Sequence, residues 1–368
     1  RHILESDPDE HLYNLPEQNK LSPFCVKRFV KILLPKVMLG IQSKSTAVVN
    51  INCEALNMLC SLAPELVLNV ILLDIYESLQ TVITNHRLTV VLKILTRISK
   101  YFLTQKIFRC HVTRILGLLL PGIASNDLDK TFLTLNVISS FASFLPFYDL
   151  SRQCEDDDVL VDSGLAFEAT QSHLAFLEEK VYNNMKIEDE DQEFFQLDDE
   201  YEKKVLISSS TLFEDFLSMF TYKVFTLLEN LSDQSNVQSN SELNLETSLP
   251  RTFLLLFESM ADDYFCSIAT KFLNFINENL HYDSIDLTAQ IIGSIVKHDP
   301  KGQTPQSMEL VLDKINDDLE NGRAGKVRST EILHRDKPLY CLLMLQGEIV
   351  RYAGSYVLSD SYRVSTHS

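Results

Sequence analysis

Residues 86–102 read HRLTVVLKILTRISKYF, with Leu88, Val91, Leu92, Leu95, Ile98 and Phe102 recurring every three or four positions. Lys93, Arg97 and Lys100 fall on the opposite face. Such a period belongs to an amphipathic helix that sets one side into a core. Downstream, Leu128, Phe132, Leu135, Ile138, Ala142 and Leu145 repeat the pattern until Pro146 ends it. Pro64 suits the first turn of a helix. Ser125 or Asn126 is placed to cap the helix that follows Pro121-Gly122.

Pairing these stretches gives three helical hairpins: 26–42 with 46–62, 64–83 with 86–103, and 106–120 with 126–145. Their first helices start 38 and 42 residues apart. Two-helix units at roughly 40–47 residues mark HEAT or armadillo arrays, in which each hairpin buries faces that it could not bury alone. The three units hardly match one another in sequence, so a non-repeating helical bundle stays open on spacing alone.

Composition points the same way. Of 368 residues 45% are hydrophobic, which supports a large core. The chain has 10 Gly and 11 Pro, far below the average usage of roughly 7% and 5%. Few tight turns or Gly-rich phosphate loops can be built from so little glycine, which favours long helices over sandwiches, barrels and nucleotide-binding α/β folds. The seven cysteines are an odd number, and Cys53, Cys60, Cys110, Cys266 and Cys341 sit in apolar helical stretches. They read as small buried hydrophobes in a reducing compartment.

Net charge is −18, against general affinity for nucleic acid or anionic membrane. From Cys154 to Glu202 there are 17 acidic and 2 basic residues, so this stretch alone carries −15. Such self-repulsion predicts an acidic surface insertion over 151–204, with one helix at 164–185 and its most acidic part at 187–202. Residues 1–24 read as a lead-in, 25–150 as helix pairs and 205–368 as further helical repeats. In that last part helices are expected at 205–231, 250–260, 263–280, 284–298, 305–321 and 337–358. The polar 235–248 reads as a loop, and 322–336 as a basic one. The fold expected is all-α. The chain opens Arg1-His2-Ile3, without Met, and reads as a piece of something longer. Its longest uncharged stretch, 131–148, is too polar to cross a bilayer.

No chemistry is encoded locally. Asn321-Gly322-Arg323-Ala324-Gly325-Lys326-Val327 fails the phosphate-loop pattern in both glycine spacing and the residue after Lys. Paired zinc-ligand spacings, a G-x-S-x-G elbow and a calcium loop are all missing. His111, beside Cys110, reads as core packing. The acidic runs 155–158 and 188–191 read as solvated surface. The expectation is a non-enzyme without cofactor or metal.

Specific strings go further. Pro64-Glu65-Leu66-Val67, then Tyr76, Leu79 and His86-Arg87-Leu88-Thr89, resemble the large single-chain HEAT-repeat proteasome activator family of yeast and animals. So do Leu119-Leu120-Pro121-Gly122-Ile123, Asn126-Asp127 and Lys130-Thr131. Phe213-Glu214-Asp215-Phe216, Leu228-Glu229-Asn230, Lys297-His298-Asp299-Pro300-Lys301 and Glu348-Ile349-Val350-Arg351 with Gly354 follow in order. Asn69 and Ala124 depart from the family pattern near helix ends, and the acidic segment looks like a fungal-type expansion.

The resemblance implies an internal, structural segment of a curved solenoid that caps the 20S core particle. It implies contact with the α-subunit ring through the parent protein, and passage of unfolded or peptide substrates through the dome. It also implies regulation of gate opening or of core-particle assembly, residence in nucleus and cytoplasm, and a link to DNA repair. Gate opening in the family uses a hydrophobic–Tyr–X tail, whereas this chain ends Ser365-Thr366-His367-Ser368. Residues 1–368 alone are therefore expected neither to stimulate nor to bind core particles tightly. Some members bind inositol polyphosphates through basic clusters. Arg323, Lys326, Arg328, Arg335 and Lys337 form the densest such cluster here, and a solvated loop is the simpler reading of it. Pro64, Glu65, His86, Pro121, Gly122, Asn126, Asp127 and Lys130 stand as signature positions, with Gly122 expected to adopt a positive φ. A karyopherin-type transport or adaptor scaffold is the alternative.

Overall fold

The computed structural model describes residues 22–81, 85–153, 164–182, 195, 197–231, 240–321 and 336–357. The helices are α1 (Pro23–Ile41), α2 (Thr46–Leu62), α3 (Pro64–Gln80), α4 (Asn85–Thr104) and α5 (Lys106–Arg109). There follow α6 (His111–Leu119), α7 (Leu128–Ala142), α8 (Leu165–Tyr182), α9 (Asp199–Ser210) and α10 (Phe213–Glu229). The last are α11 (Asn240–Ser259), α12 (Asp262–Glu278), α13 (Ile285–His298), α14 (Pro300–Glu320) and α15 (Lys337–Ala353). Among the described residues no strand forms; the one bridge joins Phe147 to Met260.

Two layers emerge from who packs on whom. α2, α4, α7, α11, α13 and α15 pack successively in one layer. α1, α3, α6, α10, α12 and α14 pack successively in the other. Successive helices of the chain therefore alternate between layers, the arrangement of a HEAT-like solenoid. The fold is all-α, as the pairing of helical stretches predicts. One apolar cluster runs through both layers from Val30 to Ala353. On α4, Leu92, Leu95, Ile98 and Phe102 are each at most 1% exposed. Val90, Ile94 and Ser99 are buried as well, because the helix is pressed by α2, α3 and α7 together. Phenylalanines bind helices within and between the layers: Phe102 meets Phe141 at 6.2 Å inside one layer, and Phe253 reaches across to Phe220 and Phe272 at 5.3 and 5.1 Å.

The short α5, and α8 and α9, stand outside this alternation. α8 leans on α3 and α9, and α9 reaches α5. The acidic run is therefore not wholly a surface excursion. Glu202 is only 6% exposed, accepting from Arg109 at 3.2 Å with Lys106 Nζ at 3.8 Å. A buried carboxylate needs such partners, and α5 supplies them. Residues 187–194 lie outside the described residues.

Other expectations are corrected. The polar stretch 235–248 is helical from Asn240, and Pro250 sits inside α11 rather than opening it. Leu245, Ser248 and Leu249 are buried on α7's side of the core, so packing overrides a polar composition. The span 205–231 is two helices, broken at Thr211-Leu212. α14 starts at Pro300, capped by the Asp299 carboxylate, and carries Pro305 within it. α7 is capped by Asp127, whose Oδ1 accepts from Lys130 N at 3.0 Å, not by Ser125 or Asn126. Cys266 is exposed.

Candidate functional site

The Leu120–Gly122 turn ends the α6 hairpin arm, and Thr131 ties it to α7. Thr131 Oγ1 accepts from Ala124 N at 3.0 Å and donates back to Ala124 O at 2.8 Å. This fixed connection walls a cleft of about 200 Å³ between the ends of α3 and α6 and the starts of α4 and α7. Leu79, Leu88, Leu92, Leu118 and Leu119 make it apolar; Lys130, Thr134 and Thr81 are its polar groups. Lys130 is half-buried, and its ammonium makes no ion pair among the described residues. Thr134 is 1% exposed and its hydroxyl has no hydrogen-bond partner.

Gly122 is needed here for room, not for its backbone angle. Gly354 is the positive-φ glycine among the described residues, so the expected positive φ at Gly122 is not found. A Cβ at Gly122 would instead collide with Thr134 Oγ1. Thr134 is β-branched and buried, so it cannot swing aside cheaply. Gly122→Ala should cost about 1–2 kcal/mol. Most of that cost should vanish in a Thr134→Ala background, a coupling readable in a double-mutant cycle by urea melts. Equal costs in both backgrounds would place the strain elsewhere.

Of the signature positions, the cleft gathers Pro121, Gly122 and Lys130. Asp127 stands behind them as the cap, with Asn126 exposed in the adjoining turn. Pro64 and Glu65 open α3, where burial pushes the Glu65 carboxyl above its ordinary value. His86 is exposed at the start of α4. These three are not brought to the cleft. Arg323, Lys326, Arg328 and Arg335 lie outside the described residues; Lys337 opens α15, its Nζ 4.1 Å from the centre of the Tyr282 ring.

A second polar centre is missed by the sequence. His111 is indeed buried, yet both its ring nitrogens are engaged: Nδ1 with Tyr76 Oη and Nε2 with His173 Nδ1, each at 2.9 Å. The chain joins α3, α6 and α8. Arg114 lies between the Tyr76 and Phe167 rings, 5.1 and 4.9 Å from their centres. Burial, then the neighbouring His173 and Arg114, hold His111 well below the ordinary histidine value. Burial lowers His173 to about 4 and raises the Tyr76 phenol. Both imidazoles are thus neutral at pH 7, and one proton per contact serves both bonds. With the phenol held protonated and both imidazoles buried, this is a structural tie. Among the described residues no group of His, Cys, Asp or Glu could hold a metal. No described helix is long and apolar enough to cross a membrane.

Comparison with known proteins reaches the whole chain. The family described as "Proteasome activator complex subunit 4, mid HEAT repeats region" matches residues 1–365. Proteasome activator BLM10 of Saccharomyces cerevisiae is 28% identical over 359 residues, covering 94% of this chain and 16% of that protein. Proteasome activator complex subunit 4 of Xenopus laevis is 24% identical over 364 residues, covering 94% and 17%. The chain thus spans about a sixth of the length of these relatives. Kap121p, in a crystal structure bound to Nup53p, aligns over 94% of this chain and 39% of its own. That alignment has 11% identity and a TM-score of 0.28, too loose to carry an argument.

Proposed function

This chain belongs to the mid HEAT repeats region family of proteasome activator complex subunit 4, and on that premise we propose that it is a wall segment of an activator that caps the 20S core particle. The observation that carries the reading is the family match from residue 1 to 365, backed by relatives that are themselves proteasome activators. The two-layer solenoid supports a protein that works by shape and contact rather than turnover. Its place would be in the structure that regulates gate opening and substrate entry, or core-particle assembly. Unfolded or peptide substrates would pass the wall without binding a catalytic group on it. Nucleus and cytoplasm are the compartments that go with this role. A chain of net charge −18 favours protein partners over nucleic acid.

The test uses the full-length parent protein, mixed with purified 20S core particles and resolved by native electrophoresis with a fluorogenic peptide overlay. Co-migration and faster peptide cleavage are expected. Absence of any complex at micromolar concentrations, with capture of a Ran-type GTPase instead, would put the karyopherin-type scaffold in its place.

A further inference from the structure

α1 and α2 are apolar on two opposite sides. One side is set into the core, through Val30, Leu34 and Val37 of α1 and Val49, Cys53 and Leu56 of α2. The other stands in solvent. Phe29, Ile32 and Leu39 on α1, and Val48, Ile51, Met58 and Leu62 on α2, are each 40–73% exposed. They recur at helical spacing, so each helix carries a continuous outer stripe. Of the twenty large apolar side chains exposed among the described residues, eight lie on these two helices, and such a concentration marks an interface. A helix that is apolar on both sides is made to be covered on both. The closing pair of a solenoid has a polar outer face instead, because solubility requires it. α1 and α2 therefore have the make-up of an internal pair.

Charge constrains what belongs on this face. From Pro23 to Leu62 there are five basic residues and one acidic one, in a chain of net charge −18. The acidic one, Glu54, is turned to α4, where Arg97 Nε lies 3.3 Å from its carboxylate. Lys36 is exposed within the α1 stripe itself. An occupant with acidic groups among its apolar ones fits such a face, and a basic one is rejected. The far end of the array has a surface of that kind. α14 carries five acidic and two basic residues, with Leu312 and Leu319 exposed among them. In a solenoid the downstream side of each pair meets the upstream side of the next, so a pair built like α14 complements the outer face of α1 and α2. The relatives have room for one: this chain spans about a sixth of their length, and the family it matches is a mid region of HEAT repeats.

We propose that the outer face of α1 and α2 seats the helix pair that precedes α1 in the parent polypeptide, a pair presenting an apolar ridge flanked by acidic side chains. The inference rests on the family reading only for there being a preceding pair; the chemistry of that pair is read from this face.

The test compares the 368-residue chain with the full-length parent, each carrying Ile51→Cys, an exposed change that leaves the core untouched. Both are treated with N-ethylmaleimide. Labelling is followed by mass spectrometry of the peptide that holds position 51 and normalised to its rate in urea. The introduced thiol should react at least about tenfold more slowly in the parent than in the 368-residue chain. Adding Lys36→Glu should raise the rate in the parent about fivefold, whereas Lys36→Met should leave it slow. Equal rates in the two proteins would overturn the proposal, whether the face is open in both or already covered in the shorter chain by its lead-in or a second copy. Equal rates for Lys36→Glu and Lys36→Met would overturn the acidic character of the occupant. A parent that binds core particles with the thiol open would sink this inference alone. One with the thiol covered and no core-particle complex would sink the activator reading alone.

Discussion

Lowering the pH from 7.5 to 5.0 should cost the fold about 2 kcal/mol through His173 alone, with His111 adding a loss of the same sign. The sign follows from burial. His173 titrates near 6.5 in the unfolded chain and at about 4 in the folded one. Between those values the unfolded chain binds the extra proton, and each such histidine withdraws about 1.4 kcal/mol per pH unit. Its contribution is complete above about pH 6.5 and is exhausted near pH 4. Among the described residues, no charge that faces the pair offsets this. Arg114 is a fixed cation over Tyr76, Tyr76 holds its proton, and Phe108 and Phe195 flank His173 at 5.2 and 5.3 Å. Urea melts of the parent and of His173→Leu at both pH values isolate the effect from ordinary carboxylate titration. The variant should be about 1–3 kcal/mol weaker at pH 7.5, because His111 Nε2 loses its partner. It should also lose about 2 kcal/mol less on acidification. Parallel pH profiles for the two proteins would refute the account.

Phe147→Ala should destabilise by about 3–5 kcal/mol. The ring is 0% exposed, edge-on to Phe213 at 5.1 Å and stacked on Phe216 at 6.1 Å. Its backbone is used as fully as its side chain. The N–H donates to Ser259 O at 2.8 Å, and the carbonyl accepts from Ala261 N at 3.1 Å. One residue thus pins the stretch after α7 to the α11–α12 turn and to the start of α10. Truncation leaves a void that neither anchored backbone can collapse into. Phe147→Leu, which keeps much of the volume, should cost less than half as much. A denaturant midpoint for Phe147→Ala within error of the parent would show that the pocket refills.

How far this molecule is legible from its sequence depends on whether a feature is local. The α4 stripe from Leu88 to Phe102 is a matter of period, and the helix lies where the period puts it. The spacing of the first three pairs is equally local. α11 is not: 235–248 is polar enough to read as a loop, yet the chain is helical from Asn240, with Leu245 and Leu249 buried in a helix that packs on α7 and α13. Gly122 is recognisable as a required glycine, yet the requirement comes from Thr134, twelve residues on, and not from a dihedral angle. His111 and His173 are 62 residues apart. Each alone is a histidine on an apolar helix, and only the fold makes them a pair. The cleft combines both cases: Leu79, Leu88, Leu119, Pro121, Gly122 and Lys130 stand in recognisable strings, but only the fold brings α3, α4, α6 and α7 around one space.

A solenoid behaves as a spring, and it yields where successive pairs rotate against each other. α8 is emitted after the third pair yet lies across both α3 and α6, held by the imidazole chain and by Arg114 between two rings. It is therefore a brace over the joint between the second and third pairs. A joint held by these added contacts resists twist more than one held by the two layers alone. Strain imposed on the array is then expected to fall on the joints that α8 does not touch.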